Sequence, residues 1–322
     1  MSQSDIMFGK LKELKMTGWL ITNAFLHTHK FTEINLWLVE AAKKSGIELT
    51  IKTNGEVLVQ LDSKNTIAYK ADDTEKPDFV LFWDKDIRLA EYMELKGIPV
   101  FNSSRAIAIC DDKSLTHLYL QRAGIKMPKT ILAPMTYSNI GYTNMDFLEQ
   151  VIEELSFPMV VKECFGSFGQ QVYLVHNNKE LEEKVKEIQP KSMLFQEFIE
   201  TSKGKDIRLQ VVGDQVVASM YRYSDTGDFR ANITNGGKMK PYDPTKEQID
   251  LAVRCCKILG LDFAGVDILF GENEEPIVCE VNSNAHFKNI YDCTGVNVAD
   301  FIMEYIIKEL GNTIEATDIK ID

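Results

Sequence analysis

Residues 264–282 read AGVDILFGENEEPIVCEVN, two apolar runs joined by a polar turn, with Asp267 inside the first run and Glu280 and Asn282 inside the second. A carboxylate left unpaired in such a strand would suffer a heavy desolvation cost, which a bound cation removes. Side chains alternate along a strand, so Glu280 and Asn282 face one way, and an adjacent strand brings Asp267 beside them. Oxygen ligands of this kind select a hard cation such as magnesium, held jointly with phosphate oxygens. The competing reading pairs the buried carboxylate with Arg208 or Lys162.

Upstream, DIRLQVVG (206–213) and QVVASMYRY (215–223) read as strands, and alternation places Asp206 and Arg208 on one face. Arg222, Arg230, Asn232 and Lys238 then gather around Gly236-Gly237 in and beside a polar loop from Ser224 to Lys240. Arginine suits bidentate contacts with carboxylate or phosphate, although a solvated charged loop is the plainer alternative. Further upstream, Lys162 follows the apolar run FPMVV and precedes Gly166-Ser167-Phe168-Gly169. Glycine there lets backbone N–H groups approach a polyphosphate, and the absence of a following G-K-[ST] excludes a Walker loop. A strand lysine reaching solvent before an ordinary turn is the competing account. Gln196-Glu197-Phe198-Ile199 closes another apolar strand, where backbone groups can read a base edge and a following carboxylate such as Glu200 can accept ribose hydroxyls. Taken alone, an exposed strand end is the preferred reading of that stretch.

The first third alternates β-rich runs with amphipathic ones, from GWLIT through FTEINLWLVEAAKKSG, IELTIK, DFVLFW and IRLAEYMELKG to IPVFN. That order predicts βαβ units on a parallel sheet, with Gly46 and Gly97 ending helices. Gly55–Lys70 reads as an inserted hairpin. Asp111 and Asp112 open a helix that Gly124 ends, and an α+β pattern follows. The division expected is 1–103, an N-terminal α/β domain, then 104–200 and 201–322, with partial disorder after Gly311.

The chain has 322 residues, 44% hydrophobic and 26% charged, enough for two or three domains at roughly 100–200 residues each. Its net charge of -12 argues against a general grip on nucleic acid. Six cysteines without a C-x-x-C pair indicate neither a zinc cluster nor a disulfide framework, and no run approaches the ~20 apolar residues of a membrane span. A cytoplasmic protein is the expectation, and self-association into a homo-oligomer is left open.

Taken in order, Lys113, Lys162, GSFG, QEFIE, DIR, FRANITNGG and D-x(12)-E-x-N resemble the ATP-grasp superfamily, and within it the RimK-type glutamate ligases, relatives of glutathione synthetases. The resemblance runs from about Asn102 to the final helix. It implies an ATP-grasp fold behind an N-terminal parallel-sheet α/β domain. It further implies that Lys113 and Lys162 contact ATP phosphates, that Gly166, Ser167, Phe168 and Gly169 close over them, and that Gln196, Glu197, Phe198 and Ile199 form the adenine hinge. Asp206 would bind ribose. Arg208, Arg230 and Asn232 would act on the phosphoryl and acyl groups, and Asp267, Glu280 and Asn282 would hold two magnesium ions, with manganese able to substitute. Two departures stand out: Ser-Asn-Ala-His after Asn282, and Gln170-Gln171 where a further glycine is common.

The activity implied is ATP-dependent joining of a carboxylate to an amine through an acyl phosphate, acting on an amino acid, peptide or peptide-like cofactor. A small-molecule kinase on the same fold and a non-catalytic ATP-binding regulator are the alternatives. His286 is the candidate base. His27, His29, Lys85 and Asp86 follow strands of the first domain, and ligands collect at such strand ends. His27, Lys85, Arg222 and His286 are the candidate substrate contacts.

Overall fold

A computed structural model describes residues 16–61, 76–166, 169–233 and 236–318, which fall into two units. The first holds the described residues up to 107 together with 286–288 and 297–318; the second holds 108–285 and 289–296.

In the first unit, β1 (Thr17–Thr22), β2 (Glu48–Thr53), β3 (Phe79–Phe82) and β4 (Val100–Phe101) form one sheet in the order β2-β1-β3-β4. Every pairing is parallel, so neighbouring strands need crossovers rather than tight hairpins. The helices His29–Lys44 and Ile87–Leu95 provide two of them. His29–Lys44 buries Ile34, Leu38, Ala41 and Ala42, the one-sided stripe of an amphipathic helix. Gly46 and Gly97 follow the two helices at φ 79° and 69°, a conformation that costs little only without a Cβ. β3 is buried at all four positions, as a central parallel strand should be. Strand order reverses direction between β1 and β3, and there the amide of Asn23 meets the Asp84 carboxylate at 3.2 and 3.3 Å.

The last helix corrects the expected boundary at 201–322. Val298–Asp318 buries Val298, Ala299, Ile302, Met303 and Ile306 and packs against His29–Lys44 of the first unit. Phe287, fully buried, likewise sits between the rings of Trp37 and Trp83 at 6.1 and 5.7 Å. Apolar surface is buried wherever complementary surface is offered, whatever its distance along the chain. The helix also continues through Gly311 to Asp318, where disorder was expected, and the sequence there lacks the proline that would stop it. The hairpin expected for Gly55–Lys70 falls in part on residues 62–70, outside the described residues, and 55–61 form a turn and a lone bridge at Leu58.

The second unit contains two antiparallel sheets. β5 (Thr130–Leu132), β6 (Met159–Glu163), β7 (Val172–Val175) and β8 (Met193–Glu197) run in the order β5-β8-β6-β7. The helices Phe147–Leu155 and Asn178–Ile188 cover this sheet through Leu148, Val151, Leu181 and Val185. β9 (Lys205–Val212), β10 (Gln215–Tyr223), β11 (Lys238–Pro241), β12 (Phe263–Phe270) and β13 (Pro276–Asn282) form the other, in the order β11-β10-β9-β12-β13. Alternation in β9 sends the buried Ile207, Leu209 and Val211 one way and Asp206 and Arg208 the other. Helix Lys246–Leu259 packs on the apolar side through Ala252, Cys255 and Cys256. Asp112 caps the helix Lys113–Arg122, its Oδ1 accepting from the backbone N–H of Ser114 at 2.8 Å.

Gly18 of β1 tests the parallel sheet. A Cβ there would come 2.5 Å from the ring of the buried Phe79. Gly18→Ala should therefore destabilise the protein by about 1–3 kcal/mol, seen as a lower urea midpoint; an unchanged midpoint would show that the ring yields freely.

Candidate active site

The polar face of the β9–β13 sheet is organised by register. β9 pairs Asp206 with Arg222 of β10 and Arg208 with Asp267 of β12, and β12 pairs Asp267 with Glu280 of β13. Arg208 donates to Asp267 through Nε at 2.6 Å and Nη2 at 2.7 Å. Arg222 donates to Asp206 through the same two atoms, both at 2.7 Å, and its Nη2 also lies 2.9 Å from Asp267 Oδ2. Two carboxylates and two guanidiniums thus form one charge-balanced chain in which Arg222 and Asp267 are each 3% exposed. Burial pushes the Asp267 carboxyl up, but the flanking guanidiniums outweigh it and hold the group below the usual carboxylate range.

A cavity lies against this face. Asp206, Arg222, Asp267 and Glu280 form one wall, Val160, Lys162 and Gln196 of the other sheet form the opposite one, and Glu197, Phe198 and Ile199 form one end. Lys113, Gly166, Gly169, Arg230 and Asn232 complete the lining. Lys113 Nζ donates to the Gly166 carbonyl at 3.1 Å and stands 3.5 Å from Glu280 Oε1. Arg230 is held by Asp228 through Nε and Nη2, at 3.1 and 2.9 Å, and its Nη1 donates to the Gly169 carbonyl at 2.9 Å. The two loops are thereby joined. The rings of Phe198 and Phe229 meet edge to face at 6.2 Å beside them.

Most of the residues expected from the sequence therefore share one cavity, with stated exceptions. Ser167 and Phe168 lie outside the described residues. Arg208 and Asn282 are not in the lining: Arg208 is committed to Asp267, and Asn282 pairs with Gly265 across the sheet. Arg222, expected as a substrate contact, lines the cavity with its Nε and Nη2 engaged by Asp206 and Asp267. A buried guanidinium is stabilised by the nearest carboxylates. His27, Lys85 and His286 belong to the other unit; His27 and Lys85 are exposed, and His286 stacks edge-on against Phe31 at 5.2 Å.

Three lining or supporting residues escaped the sequence reading. A register shift between Asp267 and Ile268 leaves Cys279 as an extra residue, so Cys279 and Glu280, though adjacent, both line the cavity, and Lys162 Nζ approaches Cys279 Sγ at 3.9 Å. Gln171 fills the notch over Gly166, where a Cβ would lie 2.4 Å from its Oε1. His117, buried on the helix Lys113–Arg122, contacts Gln196 at 2.9 Å, and burial beside the Lys162 ammonium pushes its imidazole down to about 4.

The donor set fits a hard cation held together with phosphate. Asp267 has about four lone-pair sites, and three N–H groups occupy three of them. Glu280 is only partly buried, with one carboxylate oxygen 3.5 Å from Lys113 Nζ. Among the described residues no three His, Cys, Asp or Glu side chains form a cluster that could hold a metal ion by themselves. The desolvation cost of Asp267, assigned from sequence to a cation, is offset here by Arg208 and Arg222.

Residues 110–306 match the family model of the RimK-like ATP-grasp domain. A probable alpha-L-glutamate ligase of Methanococcoides burtonii is 34% identical over 284 residues, covering 84% of this chain and 90% of its own. The fold is shared with the ATP-grasp ligase PsnB bound to a minimal precursor, at TM-score 0.68 and 19% identity over 92% of this chain and 99% of that one. It is shared also with the ATP complex of D-alanine–D-alanine ligase from Bacillus anthracis, at TM-score 0.68 and 17% identity over 94% and 99%.

Two outcomes follow. Arg222→Met strands Asp206 in a buried setting, takes one of two guanidiniums from Asp267, and should cost about 3–5 kcal/mol in chemical denaturation; a loss under 1 kcal/mol would mean that water or Arg208 replaces it. His117 is neutral when folded and takes up a proton near its ordinary 6.5 when unfolded. Its contribution to stability is complete above pH 6.5 and declines as pH falls toward 4, so His117→Leu should flatten the acid decline of the melting temperature across that window.

Proposed function

The chain belongs to the RimK-like ATP-grasp family, and we propose that it is an ATP-dependent ligase that activates a carboxylate as an acyl phosphate and joins it to an amine. The observation that carries this reading is the convergence of Lys113, Lys162, Arg230, Asp267 and Glu280 on one cavity that ends in the strand-terminal hinge Gln196–Ile199. Adenine lies at the hinge between Val160 and Leu269, with ribose toward Asp206. The phosphates extend toward Lys113, Lys162 and the glycine loop, where ammonium groups and backbone N–H donors offset their charge.

A carboxylate oxygen of the first substrate attacks the γ-phosphorus, the bond to the bridging oxygen breaks, and ADP leaves. The amine nitrogen then attacks the acyl carbon, phosphate departs with the former carboxylate oxygen, and a proton is lost from nitrogen. Lys113 and Lys162 orient the triphosphate, while Arg230, fixed by Asp228 and Gly169, meets charge that develops on the transferred group. Asn232 supports it from the same loop. Asp267, Glu280 and Asn282 would hold magnesium, or manganese in its place, two ions being the expected number. Bound there, the metal would supply positive charge against the phosphates of the nucleotide. Arg208 acts through Asp267.

The amine and carboxylate are amino acids, peptides or peptide-like molecules, and glutamate is the first amine to test, since the Methanococcoides burtonii relative is a probable alpha-L-glutamate ligase. The sheets at 130–197 and 205–282 both contribute to the lining of the nucleotide cavity.

Release of ADP with pooled amino acids and peptides, followed by mass spectrometry, would identify the pair. Oxygen-18 placed in the acceptor carboxylate should appear in inorganic phosphate; label confined to substrate and amide product excludes the acyl phosphate, and a stable phosphorylated product identifies a kinase. Glu280→Gln should abolish turnover while leaving the melting temperature within a few degrees, because the isostere removes charge without opening a cavity. Retained turnover would remove Glu280 from the metal set.

A further inference from the structure

Gln196 is 2% exposed, lines the cavity at the hinge, and has its amide nitrogen held from behind by two groups. One is His117. Its Nδ1 lies 2.8 Å from the Lys113 carbonyl oxygen, which can only accept, so Nδ1 carries the proton. In the neutral ring Nε2 then presents a lone pair, and it accepts from Gln196 Nε2 at 2.9 Å. The other is Thr130. Its hydroxyl donates to the Pro128 carbonyl at 2.8 Å, so toward Gln196 Nε2, at 2.9 Å, Thr130 Oγ1 offers a lone pair as well.

Both partners have thus committed their own protons elsewhere, and each can only accept from Gln196. A flipped amide would set its oxygen against two lone pairs, so the flip is refused twice. Both N–H groups of the amide are consumed, which leaves Oε1 as the hydrogen-bonding atom of this side chain available to a molecule in the cavity. We propose that His117, with Thr130, is a positioning residue for base selection: by fixing the Gln196 amide it presents an acceptor to the nucleotide base. The base accepted is one with an exocyclic amino group at that edge, adenine, and the base refused is one with a carbonyl there, hypoxanthine or guanine. The inference rests on reading the cavity as the nucleotide site and adds to it the group that reads the base and the residues that aim it.

The experiment measures dissociation constants of ATP and inosine triphosphate, which differ at the 6-position, for the full chain by calorimetry with magnesium. Wild type should prefer ATP by about tenfold or more, the worth of one buried hydrogen bond and of avoiding two opposed acceptors. His117→Leu frees the amide to turn, and the ratio of the two constants should fall by about fivefold or more. Thr130→Val removes the second acceptor and should move the ratio in the same direction, which keeps the test alive if His117→Leu fails to fold. Gln196→Glu placed on His117→Leu should restore the preference for ATP, since a carboxylate presents an acceptor in either orientation. Equal weakening of both nucleotides, or a ratio unmoved in a folded variant, overturns the inference while the nucleotide reading stands. Failure of wild type to bind either nucleotide would instead remove the nucleotide reading itself.

Discussion

The site depends on one charge-balanced chain, Asp206–Arg222–Asp267–Arg208, laid across three strands. Four ions in so dry a place cost several kcal/mol each to desolvate, and geometry is what offsets it: both arginine pairs are bidentate, and Arg222 bridges the two carboxylates. Such an arrangement tolerates no register error. A slip of one residue in β9 would turn Asp206 and Arg208 into the apolar face against helix Lys246–Leu259 and expose Ile207 and Leu209. The ion chain and the hydrophobic face therefore enforce the same register from opposite sides of one sheet.

That rigidity has a chemical use. Asp267 is held ionised between two guanidiniums, so its remaining lone pair is available in a fixed direction, next to the less constrained Glu280. On the facing side, the loops are linked by atoms rather than by bulk: Lys113 to the carbonyl of Gly166, and Arg230 to the carbonyl of Gly169. Both cations are thus held by backbone oxygens at the two ends of that loop. The site thus combines a stiff acidic floor with a glycine loop whose position is set by two basic side chains.

The hinge follows the same logic with neutral groups. His117 and Thr130 have no charge to contribute, and they act by having spent their protons on the carbonyls of Lys113 and Pro128. In each part of the cavity, then, the groups that would touch a ligand are oriented by partners one layer behind them, which lowers the ordering cost of binding.

The sequence by itself determined the parallel sheet of the first unit and the strand faces that carry Asp206 with Arg208 and Glu280 with Asn282, whereas the grouping of Lys113, Lys162, the glycine loop and the hinge was legible only through the family resemblance. The sheet and the strand faces follow from periods of two and 3.6 residues and from glycine placement, which are local properties of the chain. What tertiary structure decided is non-local. It paired Arg222 with Asp206 and Asp267, placed Cys279 beside Glu280 through a bulge, and carried the last helix back to the first unit. It also set His117 behind Gln196, 79 residues away. No pattern within a window encodes these partners, because each is fixed by which surfaces meet when apolar area is buried and by which polar groups must then find a hydrogen bond.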